Sequence, residues 1–228
     1  MSDHAPLAYS RPSALQRWWV LAMLMLACVL PEVILMGADL GLWGSPRWRN
    51  LAYQYGAFWA GLLWDWQPNY ALQPLTMFFS HAVLHAGLGH MIGNLAALWV
   101  LGTTVQRRMG QAGLFWLWSV SAIGGALAFG FLATTPAPMV GASGALSGMI
   151  GAWVLWNVPS ASGEVRNTRF HGLWWVAKAT AVLALGNVAL WWLQDGQIAW
   201  QTHLGGYFTG LVFTMLVERR RILPKMRE

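Results

Sequence analysis

Six stretches of predominantly apolar residues, near 18–38, 84–105, 112–133, 142–158, 172–193 and 198–217, take up most of the chain. About 20 such residues are what an α-helix needs to cross the hydrocarbon of a bilayer. A bilayer in turn admits only segments that satisfy their own backbone hydrogen bonds. The last five stretches follow one another between residues 84 and 217 with short connections, which leaves no room for a separate soluble domain among them. The expected fold is all-α: one polytopic membrane bundle of six transmembrane helices. It divides into a lead at 1–17, a helical core at 18–220 and a basic tail at 221–228. Composition agrees, because 57% of residues are hydrophobic and only 10% are charged, against about 25% charged in soluble domains.

The basic residues set the expected orientation. With the amino terminus inside, Arg11, Arg17, Arg107, Arg108, Arg166, Arg169, Lys178, Arg219, Arg220, Arg221, Lys225 and Arg227 fall on cytoplasmic segments, leaving only Arg47 and Arg49 outside. Both termini are therefore expected to be cytoplasmic in a cell inner membrane. The formal net charge of +6 is accounted for by this asymmetry and by anionic lipid, so the bilayer is the expected partner and nucleic acid is not. The first stretch follows Arg11 and Arg17 and is read as an anchor, since it is too long for the apolar core of a signal peptide.

Several conspicuous residues have structural readings. Cys28, the single cysteine, lies mid-helix without a neighbouring base and is read as packing. Trp18, Trp19, Trp174, Trp175, Trp191, Trp192 and Trp200 fall near span ends, as interfacial belts do. Glu32 lies toward the outer end of the first span, where water or a neighbouring helix can satisfy it. The long connection at 39–83 repeats Leu51, Tyr55, Phe58, Leu62 and Trp66 at near-helical spacing, which predicts a scaffold segment lying in the interface. The run "TTPAPM" at 134–139 ends the third span through its prolines.

Polar groups are costly in hydrocarbon, so their depth is informative. If alternate spans run outward and inward, His85, His90 and Asn94 lie in the outer half of the second span, Ser143 in the first turn of the fourth, and His203 about five residues into the sixth. Three helices thus bring their polar residues to one depth. Gly144, Gly148 and Ala152 recur every fourth residue, as do Gly206 and Gly210, and such rows let two helix backbones approach closely. Facing rows would put Ser143 and His203 within hydrogen-bond reach. Spacing alone leaves two readings open, a nucleophile with its base or two packed polar residues. For catalysis, His203 would be the base, and the Ser143 N–H with the side chains of His90 and Asn94 would be oxyanion donors. No carboxylate lies on these spans at that depth, so a two-residue Ser–His arrangement is expected.

Taken together, "HAVLHAGLGHMIGN" (His81, His85, His90, Asn94), "GASGALSG" (Gly141, Ser143, Gly144) and "HLGGYFTG" (His203, Gly206, Gly210) resemble the rhomboid family of intramembrane serine proteases. The resemblance implies a six-helix rhomboid-like core with Ser143 as nucleophile and His203 as general base, and His90 and Asn94 with the Ser143 amide at the oxyanion. It implies transmembrane protein substrates cut near the outer membrane face, with no metal or organic cofactor. By the same analogy the fifth helix and the loop at Asp195, Gly196 and Gln197 form a gate. The chain departs from the family pattern in two places. Thr76-Met77 stands where many relatives carry Trp-Arg before the second helix, and Ser147 stands four after the nucleophile where relatives often carry an aromatic ring. The histidine's orientation is then expected to depend on other packing, with Trp153 or Tyr207 as candidates. Rival readings are a metal site on His81, His85 and His90, a rhomboid-like protein that binds transmembrane helices without cutting them, and a transporter, for which no pair of interrupted helices is present.

Overall fold

The computed structural model describes residues 14–158, 168–193 and 198–222. These residues form helices α1 (Ala14–Asp39), α2 (Trp48–Gly56), α3 (Gln73–Ser80), α4 (Leu88–Leu132), α5 (Ser143–Trp156), α6 (Thr168–Leu193) and α7 (Trp200–Ile222). Among the described residues the only extended pairing is an isolated antiparallel bridge between Phe58 and Met139. Arg11, Arg166, Lys225, Arg227 and the expected gate loop at Asp195, Gly196 and Gln197 lie outside them.

A continuous 45-residue α4 would be about 68 Å long, more than twice the hydrocarbon thickness. It is two spans. Gly110, at φ +77° and ψ −179°, breaks the helix in a conformation that residues with a Cβ rarely adopt. The limbs 88–109 and 111–132 then fold back on each other. A Leu114 methyl lies only 3.8 Å from the Cβ position of Gly102, although twelve residues of straight helix would separate them by about 18 Å. The expected spans at 84–105 and 112–133 are these two limbs. Among the described residues the bundle therefore has six helical segments of 14 residues or more, besides the short α2 and α3.

The centre of the bundle is α4, α5 and α7, with α1 laid against α4. Val20, Leu21, Leu24 and Cys28 of α1 pack with Leu98, Val105, Leu114 and Leu117 of α4 in one buried cluster that reaches Ala145 and Met149 of α5. The glycine rows do face each other. A Cβ at Gly206 would overlap the Gly144 carbonyl, one at Gly210 the Gly148 carbonyl, and one at Gly151 the Tyr207 carbonyl. Backbone meets backbone along this seam, as small residues permit when lipid gives helices no hydrophobic reason to associate. By contrast, α6 lies on the outside, and no residue from Gly172 to Ala189 is buried. Its Leu173, Val182, Leu185 and Trp192 are exposed, as lipid-facing side chains are.

The connection at 39–83 does not run as one helix. α2 ends at Gly56, and Phe58, fully buried, turns extended to exchange both backbone hydrogen bonds with Met139, at 3.0 and 2.9 Å. Gly141 N–H then donates to the His81 carbonyl at 2.9 Å. These bonds explain how a non-helical segment before α5 can exist inside the bundle, where unpaired backbone is costly. Gln73 of α3 ties the rest of the connection together: its amide donates to the Gln54 carbonyl and its oxygen accepts from Asn69.

Candidate active site

With 14 residues, α5 is about 21 Å long and cannot reach both faces of a hydrocarbon layer roughly 30 Å thick. It begins inside the bundle, at Ser143 itself. Ser143 and His203 occupy the first turns of α5 and α7, and His90 that of α4, with Asn94 one turn further along α4. The expected common depth therefore arises from three helix starts at one end of the bundle. Their unsatisfied N–H groups and positive dipole ends face a site where negative charge would be favoured.

Ser143 Oγ lies 2.9 Å from His203 Nε2. The other ring nitrogen, Nδ1, is 2.5 Å from the side-chain oxygen of Asn187 on α6. Asn187 Nδ2 donates to the Leu183 carbonyl at 2.9 Å, which fixes the amide with its oxygen toward the ring. Nδ1 must then carry the proton, and Nε2 presents its lone pair to the Ser143 hydroxyl. A hydroxyl, an imidazole and a third group that orients the imidazole are the parts of an activated nucleophile.

His90 packs over Gly141, two residues before Ser143. A Cβ at Gly141, whose φ is +122°, would stand 2.7 Å from His90 Cε1 and 3.0 Å from Nε2. His90 Nδ1 accepts the Ala86 N–H at 3.3 Å, so in the neutral ring Nε2 is a donor directed to this side. Asn94 Nδ2 donates one hydrogen to the His90 carbonyl at 2.8 Å and keeps its second for another acceptor. Ser143 N–H, at the first position of α5, has no carbonyl one turn earlier in its own helix to bond. These are the groups that could hold an oxyanion.

Other expectations fare differently. His85 precedes α4 rather than lying on it, because Gly87, at φ +104°, starts the helix at Leu88. His81 sits in a 3-10 turn, His81–Val83, and its Nδ1 bonds the Met77 carbonyl at 2.8 Å. The three histidines thus share no helical face, and among the described residues no three His, Cys, Asp or Glu side chains gather closely enough to hold a metal ion. Ser147 donates to the Ser143 carbonyl at 2.8 Å and is occupied within its own helix. Trp153 is exposed, and the Tyr207 hydroxyl lies 3.2 Å from Thr180 Oγ1. The partner at His203 Nδ1 is instead Asn187. Sequence reasoning missed it by looking for a carboxylate, although an asparagine amid "AVLALGNVALWW" is itself an unusual polar group in a span.

Glu32 was expected to find water or a neighbouring helix. It is 1% exposed and makes a two-pronged ion pair with Arg49 of α2, at 2.9 and 3.0 Å. Hydrogen bonding to Glu32 raises the Arg49 pKa above its ordinary value. Arg49 also bonds Asp39 and the His85 carbonyl, and Tyr53 donates to the same carbonyl at 2.7 Å. The His85 ring in turn meets His90 edge-on, with ring centroids 5.3 Å apart. Helix α2 is thereby fastened to the residues that flank the site.

A family model described as "Rhomboid domain" matches residues 73–220, a span that holds every residue of this site. The chain is 28% identical over 190 residues to Rhomboid protein 1, mitochondrial, of Saccharomyces cerevisiae, covering 80% of this chain and 51% of that protein. It is 41% identical over 71 residues to Rhomboid protease GluP of Bacillus subtilis, covering 31% of this chain and 13% of that protein. The chain thus spans about half the length of the first of these relatives and less of the second.

Proposed function

Since the chain belongs to the rhomboid family and is a multi-pass membrane protein, we propose that it is an intramembrane serine endopeptidase with Ser143 as nucleophile and His203 as general base. The observation that carries this reading is the 2.9 Å contact between Ser143 Oγ and His203 Nε2, made by two different helices at one end of the bundle. As Oγ attacks a peptide carbonyl, its proton passes to Nε2. The negative charge on the carbonyl oxygen is met by the Ser143 N–H, His90 Nε2–H and Asn94 Nδ2–H. The imidazolium then protonates the leaving amine, and water repeats the sequence to release the acyl group. No step requires a metal or organic cofactor.

The substrates we propose are membrane-anchored proteins cut near the outer face. Helical peptide bonds are already hydrogen-bonded, so the substrate must unwind locally to present a carbonyl. α6, with no buried residue from Gly172 to Ala189, is the element by which a substrate helix could enter, as the family analogy suggests. On the distribution of basic residues we place both termini on the cytoplasmic side of a cell inner membrane, with the core at 18–220 and the lead and tail outside it.

Co-expression with a single-span substrate tests the reading. Ser143→Ala and His203→Ala should each abolish cleavage while the protein still accumulates in the membrane. A wild-type chain that retains the substrate uncut would favour the non-catalytic, helix-binding reading.

A further inference from the structure

We infer that Asn187 is a positioning residue for the proposed His203 base: it holds the ring in the tautomer that can accept the Ser143 proton, and it does so from the lipid-facing helix α6. The inference rests on the proposed Ser143–His203 reading. An imidazole in a bundle can present either nitrogen to Ser143. With Nε2 protonated, the ring would offer Oγ a hydrogen rather than a lone pair, and could not take its proton. The Asn187 oxygen, 2.5 Å from Nδ1, removes that alternative, and the Asn187–Leu183 bond at 2.9 Å keeps the amide from turning its nitrogen to the ring. A neutral amide suits this depth, since an ionised carboxylate would be far costlier to hold among apolar helices.

The placement has a consequence. α6 rests on α5 and α7 through few packed side chains and several polar ones: Trp175 Nε1 donates to the Val154 carbonyl at 3.1 Å, and Thr180 Oγ1 meets the Tyr207 hydroxyl at 3.2 Å. Asn187 lies seven residues beyond Thr180, on the same helical face. The base is therefore correctly set only while α6 is docked at its site end. A displaced α6 leaves His203 free to choose the wrong tautomer.

The test uses the full chain purified in detergent, with a fluorophosphonate as probe of the serine and ¹⁵N-histidine spectra as a readout of the tautomer, His203 being identified by difference from His203→Gln. In Asn187→Leu the labelling rate should fall at least ~10-fold, given that a wrong tautomer costs about 10⁴-fold where a carboxylate orients the ring, and His203 should lose its Nδ1-protonated signal. Asn187→Asp, which keeps an acceptor, should restore much of both. Thr180→Val, which removes one polar contact of the same helix two turns before its site end and leaves the Asn187–His203 bond in place, should leave both close to wild type. Asn187→Ala is read in parallel in case the leucine variant does not fold. Wild-type labelling and tautomer in Asn187→Leu or Asn187→Ala would overturn the inference, as would a fall in Thr180→Val equal to that in Asn187→Leu. Loss of the dyad reading itself is separately visible as undiminished labelling in Ser143→Ala, and the tautomer spectrum does not depend on turnover.

Discussion

At the scale of single residues, the site owes its geometry to groups too small or too local to be obvious. Gly141 carries no side chain where the His90 ring lies, and its φ of +122° excludes most other residues. Gly141→Ala should therefore push His90 out of place and slow fluorophosphonate labelling while leaving helix content unchanged by circular dichroism. Asn94→Ala should slow cleavage by about 10²-fold, the cost of losing one oxyanion donor while others remain. A larger fall, equal to that of Ser143→Ala, would contradict the role given to it. Ser143, His203, His90 and Asn94 are conspicuous in the sequence because hydrocarbon penalises polar groups. Asn187 is equally polar, yet its target could not be read without knowing which face of α6 meets α7. Only the folded arrangement supplies that.

At the scale of elements, two contacts set the arrangement of the helices around the candidate site. The α5–α7 seam tolerates no added methyl: Gly206 and Gly210 of α7 face the carbonyls of Gly144 and Gly148. Gly210→Ala should lower stability by about 1–3 kcal/mol through overpacking, read as a lower thermal midpoint in detergent, and should separate Ser143 from His203 enough to slow labelling. The seam was legible because glycine at every fourth residue has one physical use in a membrane helix. The second contact was not. Glu32 and Arg49 lie seventeen residues apart on elements joined by an irregular connection, and no periodicity links them. Glu32→Ala leaves Arg49 without its buried carboxylate and should destabilise the fold by about 3 kcal/mol. Glu32→Gln, which keeps the shape but not the charge, should cost less.

At the scale of the whole molecule, the bilayer does most of the specifying. Span number, the helical class and the common depth of the polar residues all follow from the requirement that each segment satisfy its own backbone. What hydropathy could not convey is where that requirement is met by other means. Within the 39–83 connection, the near-helical spacing of Leu51, Tyr55, Phe58, Leu62 and Trp66 cannot reveal that Phe58 leaves the helix to pair with Met139. That bridge in turn lets α5 begin within the bundle instead of at its face, so that Ser143 is half-buried and stands at a helix start. The proposed function requires Ser143 to be an activated nucleophile. The most direct measurement is mass-spectrometric mapping of the fluorophosphonate adduct on the purified chain. A single adduct is expected on Ser143, absent in Ser143→Ala and strongly reduced in His203→Ala. An adduct on another serine, or equal labelling of Ser143 when His203 is removed, would contradict it.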